Sequence, residues 1–122
     1  MARKFEETPR LRIMMGAIVS LGPGKAALLE AIDRAGSISA AAREMGMSYR
    51  RAWNLIEAMN GDFRLPLVKK ISGGVGGGGA AVTTAGFEAL ERYRLIEKKA
   101  AKAVRNEIEA FSSLLKRNSN SS

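Results

Sequence analysis

Cysteine and histidine are both absent from these 122 residues. Without thiols there are no disulfides and no thiolate metal sites. Without imidazole, neither a histidine proton shuttle nor a Ser-His-Asp arrangement can be assembled. The carboxylates Glu30, Asp33, Glu44, Glu57 and Asp62 form no obvious acid–base pair, so an enzyme is disfavoured and no catalytic residue, metal ligand or cofactor is expected. Long hydrophobic runs are missing too. No segment approaches about 18 uncharged apolar residues, and the opening MARKFEETPR carries acidic residues and no apolar core. Neither export nor membrane spanning is indicated, and a cytoplasmic protein is the expectation.

What the chain does have is positive charge, a formal net +8 from 20 Lys and Arg against 12 Asp and Glu. An excess of this kind favours a polyanionic partner, because neutralisation of phosphates supplies most non-specific nucleic-acid affinity. Charge alone is weak evidence, since many basic proteins use it for solubility. The length suits one domain with a real core.

Ser37 to Asn60, SISAAAREMGMSYRRAWNLIEAMN, carries two short helical patterns broken at Gly46, the layout of a helix-turn-helix. Ala41 and Ala42 are small where two steeply crossing helices must approach closely. Gly46 can adopt the left-handed conformation that ends the first helix. Ser48 offers an oxygen to the free amides of the next helix, and Ala52, Leu55, Ile56 and Met59 give that helix one apolar face. Its N-terminal face reads Ser48, Tyr49, Arg50, Arg51, Trp53, Asn54, and the first two turns of a recognition helix are those that reach base edges and phosphates. Arg50 and Arg51 in a first turn oppose the helix dipole, a cost that a bound anion offsets. Tyr49 is expected to face outward and Arg43 and Glu44 to lie on the surface. Trp53 is either a core anchor against Ala41 and Ala42 or a residue at the DNA surface, and the six methionines read as irregular core filler.

On either side of this pair, the reading is coarser. Met1 to Thr8 is polar and loose, and Arg10 to Leu21 suits a strand or short hairpin. Gly22-Pro23-Gly24 breaks the chain before a helix whose face is Ala27, Leu28, Ala31 and Ile32, ended by Gly36. Asp62 to Pro66 is a turn. Leu67 to Ile71 and Ala80 to Val82 read as a two-stranded wing around a glycine loop, with Lys69 and Lys70 in its first strand. Gly74, Gly76 and Gly79 match G-x-G-x-x-G, but neither a following helix nor a parallel crossover is there to make a dinucleotide site, and no Gly-Lys-Ser/Thr follows to make a P-loop. A mobile hairpin tip fits better, and its amides could approach DNA phosphates. Thr83 or Thr84 caps a helix running to about Lys116, and NSNSS is a disordered tail.

In that last helix Leu90, Tyr93, Ile96, Ala100, Ala103, Val104, Ile108, Phe111 and Leu115 recur at helical spacing over roughly thirty residues, about 45 Å. A helix of that length overhangs the domain before it. Its apolar stripe needs a cover, either the same helix of a second copy about a two-fold axis or the N-terminal strand folded back along it. The fold class is thus mainly α with a small β component, a winged helix-turn-helix with a long C-terminal dimerisation helix. Its divisions are a flexible 1–9, a DNA-binding 10–84, a dimerisation helix 85–116 and a tail 117–122.

GPGKAALLEAIDRAGSISAAAREMGMSYRRAW, followed by GGVGGGGAAVTTAG, resembles the N-terminal DNA-binding domain of ModE-type molybdate-dependent transcriptional regulators, which is distantly similar to that of LysR-type regulators. The likeness runs from about Leu11 to Arg94 and is most distinctive in MSYRRAW and the glycine-rich wing tip. It implies a homodimeric regulator whose recognition helices enter successive major grooves of a palindromic operator. It also carries DNA-contact roles onto Ser48, Tyr49, Arg50, Arg51 and Trp53, and wing contacts onto Lys69, Lys70 and the glycine tip. Such regulators have C-terminal oxyanion-binding domains, and the sequence ends in NSNSS where these would begin. Molybdate binding is therefore not expected of this chain alone, and a separate sensor protein is one expectation. The alternative function is a winged-helix module that binds a protein or RNA.

Overall fold

The structure is a computed structural model that describes residues 20–72 and 78–116. Its elements run in the order α1 Gly22–Ala35, α2 Ile38–Glu44, α3 Tyr49–Asp62, β1 Val68–Ile71, β2 Gly79–Val82, α4 Thr84–Ala103 and α5 Arg105–Ser112. The described residues fall into two compact units, one that runs through Tyr93 and one that begins at Arg94. The expected loose start and N-terminal hairpin (through residue 19), the glycine tip 73–77 and the tail 117–122 lie outside the described residues. Within the first unit the fold is a mainly α winged helix.

Its core is assembled from small contacts. α2 packs against both α1 and α3, and β2 rests on α1. Leu28, Leu29 and Ile32 of α1 meet Ile56 and Met59 of α3 around fully buried Leu67, while Ala26, Ala31, Ala41, Ala42, Ala52 and Ala80 are buried between them. Alanine at these positions lets backbones approach with no side-chain entropy to lose. Leu90 and Tyr93 of α4 join this core. Of the six methionines read as filler, Met45 and Met47 pack half-buried at its margin and Met59 is fully buried, while Met1, Met14 and Met15 lie outside the described residues.

Helix ends are closed as the sequence suggested, with two differences. Gly36 ends α1 at φ 78°, Gly46 follows α2 at φ 69°, and Ser48 Oγ accepts from Arg51 N at 3.1 Å. Ser37 does the same for α2, accepting from Ala40 N at 3.1 Å. Of the two threonines, Thr83 is the cap, with Oγ1 accepting from Gly86 N at 3.0 Å. The first difference is that Gly22-Pro23-Gly24 opens α1 instead of breaking the chain before it. Proline's missing N–H is no loss in a first turn, where that group has no helical acceptor, and its fixed φ is already helical. The second is that the single C-terminal helix is two. Val104 leaves helical geometry at φ −109°, ψ 16°, although Val104 N→Ala100 O (3.1 Å) and Ile108 N→Val104 O (2.9 Å) span the interruption. Hydrophobic spacing alone does not register such a lapse, because the apolar stripe continues across it.

The wing is an antiparallel pair in the register Val68↔Val82, Lys69↔Ala81, Lys70↔Ala80, Ile71↔Gly79, and it is fastened at both ends. At its base, Asn60 of α3 accepts from Leu67 N (2.8 Å) and Val68 N (3.2 Å) through Oδ1 and donates from Nδ2 to Val68 O (3.1 Å). Beside it, Thr83 donates through N to Leu67 O at 2.9 Å and through Oγ1 to Pro66 O at 2.6 Å. At the far end, Ala80 N donates to Gly36 O at 2.9 Å. Gly86 permits the first closure, since a Cβ there would stand 2.3 Å from Leu67 O and 2.6 Å from Val82 Cγ1.

Two outcomes test this scheme by urea denaturation. Asn60→Ala removes three hydrogen bonds and strands two backbone amides, and is expected to cost about 1–3 kcal/mol. Gly86→Ala is expected to lose a similar amount or more through overpacking against a carbonyl that cannot yield. Gly61→Ala, also helical but with nothing within 4 Å, is expected to gain about 0.4–1 kcal/mol. Equal effects at the two glycines would refute the tight α4–β1 approach.

Candidate nucleic-acid interface

The turn between α2 and α3 is closed by Gly46 N→Arg43 O (3.1 Å) and Met47 N→Ala42 O (3.0 Å). A side chain at Gly46 would meet no atom within 4 Å, so the backbone conformation alone asks for glycine there. This closure delivers Ser48 to its capping position and presents the first turn of α3 outward. No acidic residue occupies that turn, and among the described residues no carboxylate pairs with Arg50 or Arg51. Two guanidiniums at the positive end of a helix dipole thus face solvent without compensation.

The N-terminal face of α3 divides into two strips. Ser48, Arg50, Arg51 and Asn54 line one shallow hollow of about 260 Å³ together with Leu55. All four polar residues are exposed, and between them they offer hydroxyl, guanidinium and carboxamide groups, a set suited to base edges and phosphate. Tyr49 and Trp53, one turn apart, form the second strip on the side of the wing. Tyr49 is 49% exposed and borders a groove with Ser37, Ser39, Lys70 and Ser72. Trp53 is half-buried and packs on the core, and Lys70 Nζ stands 4.4 Å from its ring centroid. Trp53 thus packs on the core without being fully enclosed by it.

Lys69 and Lys70 do not share a face of the wing. Adjacent residues of a strand project to opposite faces, and Lys69 borders a separate hollow with Leu65, Pro66, Thr83, Thr84 and Phe87. Gly74 and Gly76 of the glycine pattern lie outside the described residues, while Gly79 has a packing reason of its own. Its Cβ would stand 2.7 Å from Gly36 O. Sequence reading missed Asn60, Gly79 and Gly86, which hold the wing against the helices. A carboxamide in the last turn of α3, just ahead of a short extended segment, was the available signal for Asn60. Arg43 and Glu44 are exposed as expected, though Glu44 is not idle: Arg34 of α1 donates to it through Nε at 3.0 Å and also through Nη2.

A family model described as bacterial regulatory helix-turn-helix protein, lysR family, matches residues 25–87, which is α1 through the start of α4. The chain is 49% identical over 82 residues to the molybdenum-pterin-binding protein MopB of Rhodobacter capsulatus, a match covering 67% of this chain and 30% of that protein. It is 38% identical over 88 residues to the transcriptional regulator ModE of Haemophilus influenzae (72% and 34%). Against the DNA-binding transcriptional dual regulator ModE of Escherichia coli K12 it is 40% identical over 81 residues (66% and 31%). The chain spans about a third of the length of these curated relatives, which are named as regulators or as molybdenum-pterin-binding proteins. With a family match over more than half its length and a helix-turn-helix closed at Gly46, capped at Ser48 and braced by a wing, the chain belongs to the bacterial regulatory helix-turn-helix proteins of the lysR family.

Proposed function

We propose that the protein is a DNA-binding transcriptional regulator that acts as a homodimer on a palindromic operator in the bacterial cytoplasm. The observation that carries this reading is the pair Arg50 and Arg51, held uncompensated in the capped first turn of a lysR-type recognition helix. In this reading Ser48, Tyr49, Arg50, Arg51 and Asn54 face the major groove, Arg50 and Tyr49 reach base edges, and the wing brings lysine to the phosphates. Among the described residues no helix is long and apolar enough to cross a membrane. The molybdenum in the relatives' names stays with them, since the match covers about a third of each.

Support for the dimer comes from the second unit. Leu95 and Ile96 of α4, Phe111 of α5 and, just beyond α5, Leu114 and Leu115 are exposed, Phe111 by 65%. An apolar series of this kind is stabilised by burial against another copy, and a two-fold pair of recognition helices is what a palindromic site requires.

Selection of bound fragments from random duplex DNA, followed by binding curves on cognate and scrambled duplexes at several salt concentrations, tests the proposal. Arg50→Ala is expected to cost about 1–3 kcal/mol on the preferred site and far less on scrambled DNA. A uniform loss would remove Arg50 from base recognition, and the absence of any preferred duplex would favour a protein or RNA partner instead. Replacing Ile108 and Phe111 together with serine is expected to yield monomers in sedimentation and to weaken operator binding, because engagement of two half-sites depends on their linkage. An undiminished dimer would refute the assignment of α5.

A further inference from the structure

We propose that Trp53 is a positioning residue: its indole holds the Lys70 ammonium at the groove between the wing and α3, making Lys70, and not Lys69, the lysine with which the wing contacts phosphate. The proposal rests on the DNA-binding reading above and assigns this groove its ligand chemistry, one phosphodiester of the nucleic-acid backbone.

Three observations support it. Lys70 Nζ lies 4.4 Å from the Trp53 ring centroid, within the range where the ring's negative face attracts a cation, and tryptophan is the strongest such partner. The ring itself is held, because Trp53 packs against the core from a helix that Asn60 ties to the strand carrying Lys70. The groove that Lys70 enters, about 280 Å³, is bordered by the hydroxyl-bearing Ser37, Ser39, Tyr49 and Ser72 and by the backbone of Gly79, and among the described residues no carboxylate stands on its rim.

These features complement one another chemically. An ammonium has three donors and no acceptor, and the ring face uses none of them up as a carboxylate would. The cation therefore keeps its full charge toward an incoming anion while part of its freedom is already lost. A lysine ordered before it meets phosphate sacrifices less rotamer entropy on binding. Lys69 borders a different hollow, with Leu65, Pro66, Thr83, Thr84 and Phe87, and of the two lysines it is Lys70 that is set over a ring.

Trp53 is the single tryptophan, so its fluorescence reports the Lys70 pairing without DNA. Quenching by iodide, which a local cation attracts, is compared with quenching by neutral acrylamide. Lys70→Met is expected to lower the iodide-to-acrylamide ratio and Lys69→Met to leave it unchanged; no change in Lys70→Met overturns the proposal. On a short mixed-sequence duplex, Lys70→Met is expected to reduce the salt slope by about 0.9 for each phosphate that is no longer neutralised, with Lys69→Met close to the unchanged chain. Trp53→Leu is expected to weaken binding about two- to fivefold, and Trp53→Phe, which keeps a ring, to restore part of that affinity. In a Lys70→Met background Trp53→Leu should then cost nothing further. A weakening by Trp53→Leu that persists without Lys70, or equal effects from the two lysines, overturns the proposal while duplex binding stands. Failure of the unchanged chain to bind duplex overturns it together with the reading it rests on.

Discussion

One carboxamide ties α3 to the wing. Asn60 sits in the last turn of α3 and meets the backbone of Leu67 and Val68 with both ends of its side chain, so the strand leaving α3 starts at a fixed height and direction. Everything later in the winged unit is referred to that start. The register of β1 against β2 follows from it, and Thr83, which closes on Pro66 and Leu67, begins α4 from the same point. An interior of alanines and a few leucines has little surface to bury for each element, and directed hydrogen bonds specify what a modest apolar core leaves loose.

The same economy governs the turn between α2 and α3. α2 is only seven residues long and contributes Ile38, Ala41 and Ala42 to the core, yet it sets the position of the turn that launches α3. Gly46 and Ser48 are local devices, each satisfied within its own turn. Their effect is nonlocal, because the angle at which α3 leaves the turn decides which of its residues face outward. Arg50 and Arg51 are exposed for this reason, and the Arg34–Glu44 pair between α1 and α2 adds an exposed electrostatic link of the kind that is worth little by itself.

Helix-turn-helix and wing were legible in the sequence because each is written in local chemistry: a glycine where left-handed backbone is needed, a serine before an amphipathic run, and two short extended stretches around glycines. Arg50, Arg51 and Asn54 could be grouped by helical spacing alone. The pairing of Trp53 with Lys70 could not, because it joins residues of different elements and depends on how the wing is seated. Gly79 and Gly86 were invisible for a related reason. Their lack of a side chain serves an approach to Gly36 and to Leu67 that only the folded chain creates. Gly22-Pro23-Gly24 misled in the opposite direction, since the residues that break helices internally are also good at starting them. At Val104 the apolar period carries on while the backbone dihedrals lapse.

Because β2 is anchored to Gly36 at one end and closed by Thr83 at the other, while β1 is held by Asn60, both strands are located by partners outside the hairpin. The register of the wing is therefore held by contacts that lie outside the connection between Ile71 and Gly79. At its near edge that connection still answers to the sheet, since a Cβ at Gly78 would stand 3.0 Å from Ile71 O. The hairpin is thus seated from its flanks, as a plank is by its brackets, and a change in either bracket would be felt along both strands.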